Sequence, residues 1–170
     1  PPMRYLFSGI LILTAAATLI KVQGLRPHEV GLTLEKPLVQ AVIPFTGIPL
    51  GIIEYQILKP PILASNLPIN QWIALALAII FSTGFVEELV FRGIIQNSAI
   101  QALGTKTGLL GASIIFAALH IGWYSIPDLV FVFSAGLFFG ILVLKTRSIL
   151  GVSLSHGIVN ILLFMILPIQ

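Results

Sequence analysis

The chain has 170 residues, of which 57% are hydrophobic and 9% are charged, and its formal net charge is +3 at pH 7. A soluble domain carries about 25% charged residues, so this composition excludes a water-exposed globular fold and indicates an integral membrane protein. The chain contains no cysteine, which excludes disulfides, thiolate metal sites and cysteine nucleophiles. The Lys and Arg residues lie mostly between apolar runs rather than in a dense cluster, which argues against a nucleic-acid partner.

Six apolar segments are candidates for membrane-spanning helices, because about 20 apolar residues cross a bilayer. Backbone groups in lipid must be satisfied within their own segment, so the predicted fold is an all-α transmembrane bundle of about six spans. The first segment has a signal peptide as its alternative, since Arg4 precedes the apolar run. The predicted spans are residues 5–20, 38–58, 72 onward with an amphipathic end at 96–103, 108–124, 126–144 and 150–167.

The charges in the loops predict the orientation of the bundle. Lys and Arg concentrate in the loops after the first, third and fifth spans, whereas only Arg4 and Lys59 lie on the other side. The positive-inside rule then places these three loops in the cytoplasm and both termini outside.

The segment GFVEELVFRGII places three ionisable groups in the third span. Such residues are costly within a membrane and indicate a functional site by default. Glu88 and Arg92 are four residues apart, so they share a helix face and can form an ion pair that makes their burial tolerable. Glu87 lies about 100° around the helix from Glu88, so it does not share the ion pair. A general base or a metal ligand needs such an unpaired carboxylate. The alternative is a three-member salt network that only holds helices together.

Two histidines and an asparagine lie in other spans. His120 follows Phe116 by four residues in FAALH, and Asn160 follows His156 by four residues in HGIVN. Taken alone, His120 is typical of an interfacial residue capped by a carbonyl, and the second pair is typical of an interhelical hydrogen bond. Taken together with Glu87, these side chains on separate helices predict a polar pocket in the membrane that suits the activation of water.

Two further acidic residues receive other predictions. Glu54 is near the outer end of the second span and is expected at the membrane interface. Asp128 follows Pro127 at the start of the fifth span, where an acidic side chain stabilises a helix N-terminus.

The three polar patterns occur in a fixed order on successive apolar helices. EELVFR fits Glu-Glu-x-x-x-Arg, FAALH fits Phe-x-x-x-His and HGIVN fits His-x-x-x-Asn. This combination resembles the CPBP family of intramembrane proteases, which includes type II CAAX prenyl endopeptidases and the bacterial Abi relatives linked to bacteriocin processing and immunity. The resemblance covers residues 72–167. It implies a catalytic helical core of four helices at residues 72–170, preceded by N-terminal transmembrane helices and an interfacial loop at residues 1–71.

The resemblance also implies a role for each matched residue. Glu87 corresponds to the catalytic glutamate and His120 to its partner in binding water, while His156 and Asn160 correspond to the residues proposed to hold the oxyanion. The second acid and the arginine of the first motif are interpreted as a supporting ion pair. The family implies a peptide or lipid-modified protein substrate and a multi-pass location, here a prokaryotic plasma membrane with the site open to the cytoplasm.

The predicted activity is therefore peptide hydrolysis within the membrane, with no cofactor favoured. A zinc ion held by Glu87, His120 and His156 is the alternative, because one carboxylate, two imidazoles and a water form a known catalytic zinc set. Two hypotheses without proteolysis also stay open. One is a proton-coupled transporter that uses these side chains as a relay, and the other is a non-catalytic membrane scaffold or immunity protein.

Overall fold

The fold is a bundle of helical segments, seen in a computed structural model that describes residues 2–169. Within this range no strand occurs, so the predicted all-α bundle is confirmed. Pro1 and Gln170, the outer limits of the two predicted regions, lie outside the described residues. The segments are α1 (Pro2–Val22), α2 (Pro37–Leu58), α3 (Ile69–Leu103), α4 (Thr105–Ala118), α5 (Ile126–Thr146) and α6 (Leu150–Ile166).

The segments have the length and composition of membrane spans. Five of the described helical segments are long and apolar enough to cross a bilayer, when α4 is counted together with the turn that continues it to Trp123, and α6 is apolar but shorter. Large apolar side chains such as Phe7, Leu38 and Val130 are exposed on the outside of the bundle. An apolar surface of this extent suits contact with lipid. The chain is therefore an integral membrane protein.

The segment α3 is the least regular of the six. It begins at Ile69 rather than near residue 72 and is one continuous helical segment of 35 residues. Its winding widens to a π-helix at Ile80–Val86 and again at Leu89–Gln96. Glu87 and Glu88 lie between these two stretches, which is where helices with π-turns often carry functional groups.

Two glycines allow α3 and α6 to approach closely. A Cβ atom on Gly84 would lie 2.5 Å from the carbonyl oxygen of Ser153, and one on Gly157 would lie 3.0 Å from a side-chain carbon of Ile80. Small residues at such crossings let the backbones of membrane helices meet. The contact brings His156 beside the two glutamates of α3.

The loops collect at two ends of the bundle. The loop after α1 contacts the turn between α5 and α6, where Lys36 Nζ donates to the carbonyl of Lys145 at 2.6 Å and Thr33 Oγ1 donates to that of Arg147 at 3.0 Å. At the other end, Leu63 N donates to the carbonyl of Phe164 at 2.9 Å. The loops predicted to be cytoplasmic after α1 and α5 therefore share an end, and the side of the membrane that this end faces stays a prediction.

Candidate active site

A buried charge cluster lies at the centre of the site and consists of Glu88, Arg92 and His156. Glu88 is 0% exposed, and its Oε1 accepts hydrogen bonds from Arg92 Nη1 at 2.9 Å and from His156 Nδ1 at 2.8 Å. Arg92 Nη2 also donates to the carbonyl of Gly136 on α5 at 3.4 Å. Glu88 thus neutralises Arg92 and orients the His156 ring at the same time. The cluster ties together α3, α5 and α6.

The ring of Phe116 packs against Arg92, His120 and His156. The guanidinium carbon of Arg92 lies 4.2 Å from the centre of the Phe116 ring, a cation–π geometry. The same ring is 5.1 Å from the imidazole of His120 and meets that of His156 edge-on at 5.8 Å. The first residue of the FAALH pattern therefore packs between the two histidines.

His120 lies in a turn rather than within a helix. The predicted fourth span of residues 108–124 nearly coincides with the apolar helical segment Thr105–Trp123, in which α4 ends at Ala118 and a short 3₁₀ turn follows at Ile121–Trp123. His120 Nδ1 lies 3.1 Å from the carbonyl oxygen of Phe116. A carbonyl can only accept, so Nδ1 carries the hydrogen and Nε2 keeps a free lone pair. The carbonyl cap of the interfacial alternative is present, and it leaves the other nitrogen available.

Glu87 lies beside this cluster but is not part of it. Its side chain is 30% exposed, and its Oε2 lies 4.0 Å from His156 Nε2, which is longer than a direct hydrogen bond. The carboxylate faces a groove of about 350 Å³ between α1 and α4, here called the Glu87 groove, together with His120 and Trp123. A gap of this length between two polar atoms suits a bridging water.

Asn160 is held by a residue that the sequence analysis missed. Its Nδ2 donates to Thr83 Oγ1 at 2.9 Å, and that hydroxyl donates to the carbonyl of Ile79 at 2.8 Å. Thr83 precedes Glu87 by four residues. A polar side chain one turn before the acidic pair was the sequence feature that could have identified it as part of the site. The remaining amide hydrogen of Asn160 is free to donate elsewhere.

Glu54 corrects a prediction, because it is buried inside the bundle and not exposed at its surface. It is 6% exposed and lines a cavity of about 30 Å³, here called the Glu54 cavity, with His120, His156 and Asn160. The reason is the spacing of Gly47, Gly51 and Glu54, which puts all three on one buried face of α2. A Cβ on Gly51 would lie 3.0 Å from Leu162 of α6, so this face is pressed against the partner helix. The spacing of the two glycines was therefore the sequence feature that could have predicted the burial of Glu54.

Asp128 is in the first turn of α5, as predicted, yet it is deeply buried. Its backbone N–H donates to Ser125 Oγ at 3.3 Å, and its side chain is 0% exposed. Neither of its carboxylate oxygens has a hydrogen-bond partner within residues 2–169. Its helix, α5, packs against α2, which carries Glu54.

The zinc alternative of Glu87, His120 and His156 stays a hypothesis. In the described part of the chain, no group of three or more His, Asp or Glu side chains is arranged to hold a metal ion. Glu88 engages Nδ1 of His156, and this leaves Nε2 of that ring available, as the carboxylate behind a metal-binding histidine also does.

The order and spacing of these groups agree with a known protein family. Residues 69–162, more than half of the chain, match the family described as type II CAAX prenyl endopeptidase Rce1-like. The chain belongs to this family. Its members are proteases, so the resemblance predicted from the three motifs is confirmed. No curated protein and no solved structure matches the chain.

The region that matches the Rce1-like family runs from the start of α3 into α6 and contains all three motifs. It brings Glu87, His120, His156 and Asn160 around one point, with the first facing the Glu87 groove and the last two facing the Glu54 cavity. His120 and Phe116 line both spaces. The arrangement offers an unpaired carboxylate, a free imidazole nitrogen and an amide donor, which are the groups that water activation and oxyanion binding require. Glu54 precedes the matched residues.

Proposed function

We propose that this chain is an intramembrane endopeptidase in which Glu87 and His120 activate a water molecule. The observation that carries the proposal is the contrast between two adjacent carboxylates. Glu88 is hydrogen-bonded to Arg92 and His156. Glu87 has no ion-pair partner at hydrogen-bond distance within residues 2–169, and it faces a groove beside His120. An unpaired carboxylate next to a free imidazole nitrogen is suited to general-base catalysis.

The first step is the attack of water on the scissile carbonyl. His120 Nε2 accepts a hydrogen bond from the water, since its Nδ1 hydrogen is used by Phe116. Glu87 takes a proton from the same water as the oxygen bonds to the carbonyl carbon. The carbonyl oxygen then carries the negative charge of the tetrahedral intermediate.

The second step is the collapse of this intermediate. Asn160 has one amide hydrogen left to donate to the oxyanion, because the other is used by Thr83. His156 can add a second donor from Nε2 as the imidazolium, whose charge Glu88 balances at Nδ1. One such donor contributes about 2.7 to 4 kcal/mol to the transition state. Protonated Glu87 returns its proton to the leaving nitrogen as the C–N bond breaks.

The substrate we propose is a membrane-associated protein or peptide, either prenylated or bacteriocin-like. The support is the apolar lining of the Glu87 groove, which includes Ile12, Val90 and Leu119 and suits a lipid-embedded chain. The loop charges favour a site that opens to the cytoplasm. His156 lies six residues after Leu150, the first residue of α6, so the helical rise places it about 9 Å from the N-terminal end of that helix.

The test of this proposal is cleavage of a quenched-fluorescent peptide library by purified protein in detergent. We expect Glu87→Gln to lower kcat by about 10² to 10⁴-fold, because the general base is lost. Glu35→Gln is the matched control, since Glu35 is exposed and lines neither the Glu87 groove nor the Glu54 cavity. Equal cleavage by the wild type and Glu87→Gln overturns the assignment of the base.

A second measurement separates the glutamate scheme from the zinc alternative. We expect a zinc-specific chelator to leave the cleavage rate of the wild type unchanged. Loss of activity that added zinc restores, but added calcium does not, supports the metal-dependent alternative instead.

A further inference from the structure

Two buried carboxylates lie outside the proposed catalytic scheme. Glu54 faces the Glu54 cavity, and Asp128 is buried nearby with both oxygens unpartnered within the described residues. Neither forms an ion pair in residues 2–169. A buried charge without a partner is costly, so such a group either takes up a proton or meets a cation.

The charges around the site also favour the binding of a cation. Four acidic groups lie in or beside it, because Glu87 and Glu88 add to the two carboxylates above, whereas Arg92 is the one guanidinium beside them within residues 2–169. Arg92 is already paired with Glu88 and forms no ion pair with Glu54. An ionised Glu54 therefore needs a cation that the described residues do not supply.

The Glu54 cavity has the size and lining for a small cationic group. Its volume of about 30 Å³ holds roughly two water-sized groups. Its walls include the aromatic side chains of Phe116 and Phe139, apolar surface against which the methylene groups of an alkylamine can pack. It shares His120 with the Glu87 groove, so a group that enters it lies next to the proposed scissile bond.

We propose that the Glu54 cavity is a subsite for a protonated primary amine of the substrate, which rests on the proposed function. The amine has two possible sources with the same chemistry. One is a lysine side chain next to the scissile bond, and the other is the α-amino group that cleavage creates. Glu54 pairs with the ammonium directly, and Asp128 adds to the negative potential behind it.

The first arm of the test compares pairs of peptides that differ at a single position, which lies directly before or directly after the scissile bond. We expect kcat/KM to be about tenfold higher with lysine than with norleucine in the wild type, a difference of roughly 1.4 kcal/mol. The ratio falls to about one in Glu54→Gln and stays unchanged in the control Glu35→Gln. If the lysine source is wrong, the ratio is near one in all three proteins.

The second arm measures inhibition by the product peptide with a free amino terminus and by its N-acetylated copy. We expect the free amine to inhibit more strongly in the wild type, and equally in Glu54→Gln. No preference for the charged form in either arm overturns the proposal, as does a preference that Glu54→Gln and Asp128→Asn both retain.

A third measurement is independent of cleavage. We expect hexylammonium to raise the melting temperature of the wild type more than hexanol does, with the difference lost in Glu54→Gln. An amine effect without proteolysis overturns the proposed function alone, whereas proteolysis without any amine effect overturns this inference alone.

Discussion

The charge cluster and the Glu54 cavity are two buried acidic regions that share His156 and differ in how their carboxylates are satisfied. Glu88 Oε1 accepts hydrogen bonds from two cationic or polar side chains, whereas Asp128 has no partner among the described residues and Glu54 faces a cavity. Both regions are inside an apolar bundle, where an isolated charge is expensive. The difference teaches that paired acids hold this bundle together, while unpaired acids remain available to a ligand.

The same contrast separates two adjacent residues of α3. Glu88 is 0% exposed and is bonded to Arg92, whereas the side chain of Glu87 is 30% exposed and faces a groove. One position along the helix thus divides a structural acid from the acid proposed to act in catalysis.

The largest expected effect comes from breaking the charge cluster. Arg92→Met leaves Glu88 buried without its cation, which should destabilise the fold by about 3 to 5 kcal/mol. The double variant Glu88→Gln with Arg92→Met should recover part of this loss, because no charge is left unpaired. Unfolding in detergent of both single variants and the double variant measures the coupling. Additive losses contradict the assignment of these residues as a pair.

A second prediction concerns the proposed oxyanion donor. Asn160→Ala should lower kcat by about 10² to 10³-fold with little change in KM, because the donor acts mainly on the transition state. Asn70→Ala removes an exposed amide and serves as the control. A loss confined to KM indicates that Asn160 binds the substrate rather than the oxyanion.

A third prediction tests the helix contact that brings the two regions together. Gly84→Ala should destabilise the fold by about 1 to 3 kcal/mol through overpacking against the backbone of Ser153. Gly111→Ala is the matched control, since a Cβ there meets nothing within 4 Å. Melting temperatures of the two variants give the comparison, and equal values mean that α3 and α6 have space to spare.

The smallest expected effect comes from the support of Asn160. Thr83→Val removes the hydroxyl at nearly constant volume, and a membrane hydrogen bond contributes roughly 0.6 to 2 kcal/mol. We expect kcat to fall by about 3 to 30-fold. Thr83→Ser should restore it, because the hydroxyl returns. Unchanged kcat in Thr83→Val means that Asn160 keeps its orientation without this bond.

Local spacing was enough to predict much of this molecule. The apolar composition requires helices, because lipid cannot satisfy free backbone groups. The four-residue intervals predict which side chains meet locally, as Glu88 does with Arg92 within α3 and Phe116 with His120 at the end of α4. These interactions join residues one turn apart in the chain, so the sequence contains the information.

Only the tertiary structure decided which faces meet. His156 bonds to Glu88 from 68 residues away and Asn160 to Thr83 from 77 residues away, and neither partner follows from helical periodicity. The burial of Glu54 likewise depends on glycines that press α2 against α6. Sequence spacing by itself determined membrane helices with polar faces. The packing of those helices decided which acids are paired and which are left for chemistry, because the cost of a buried charge depends on neighbours that only the fold supplies.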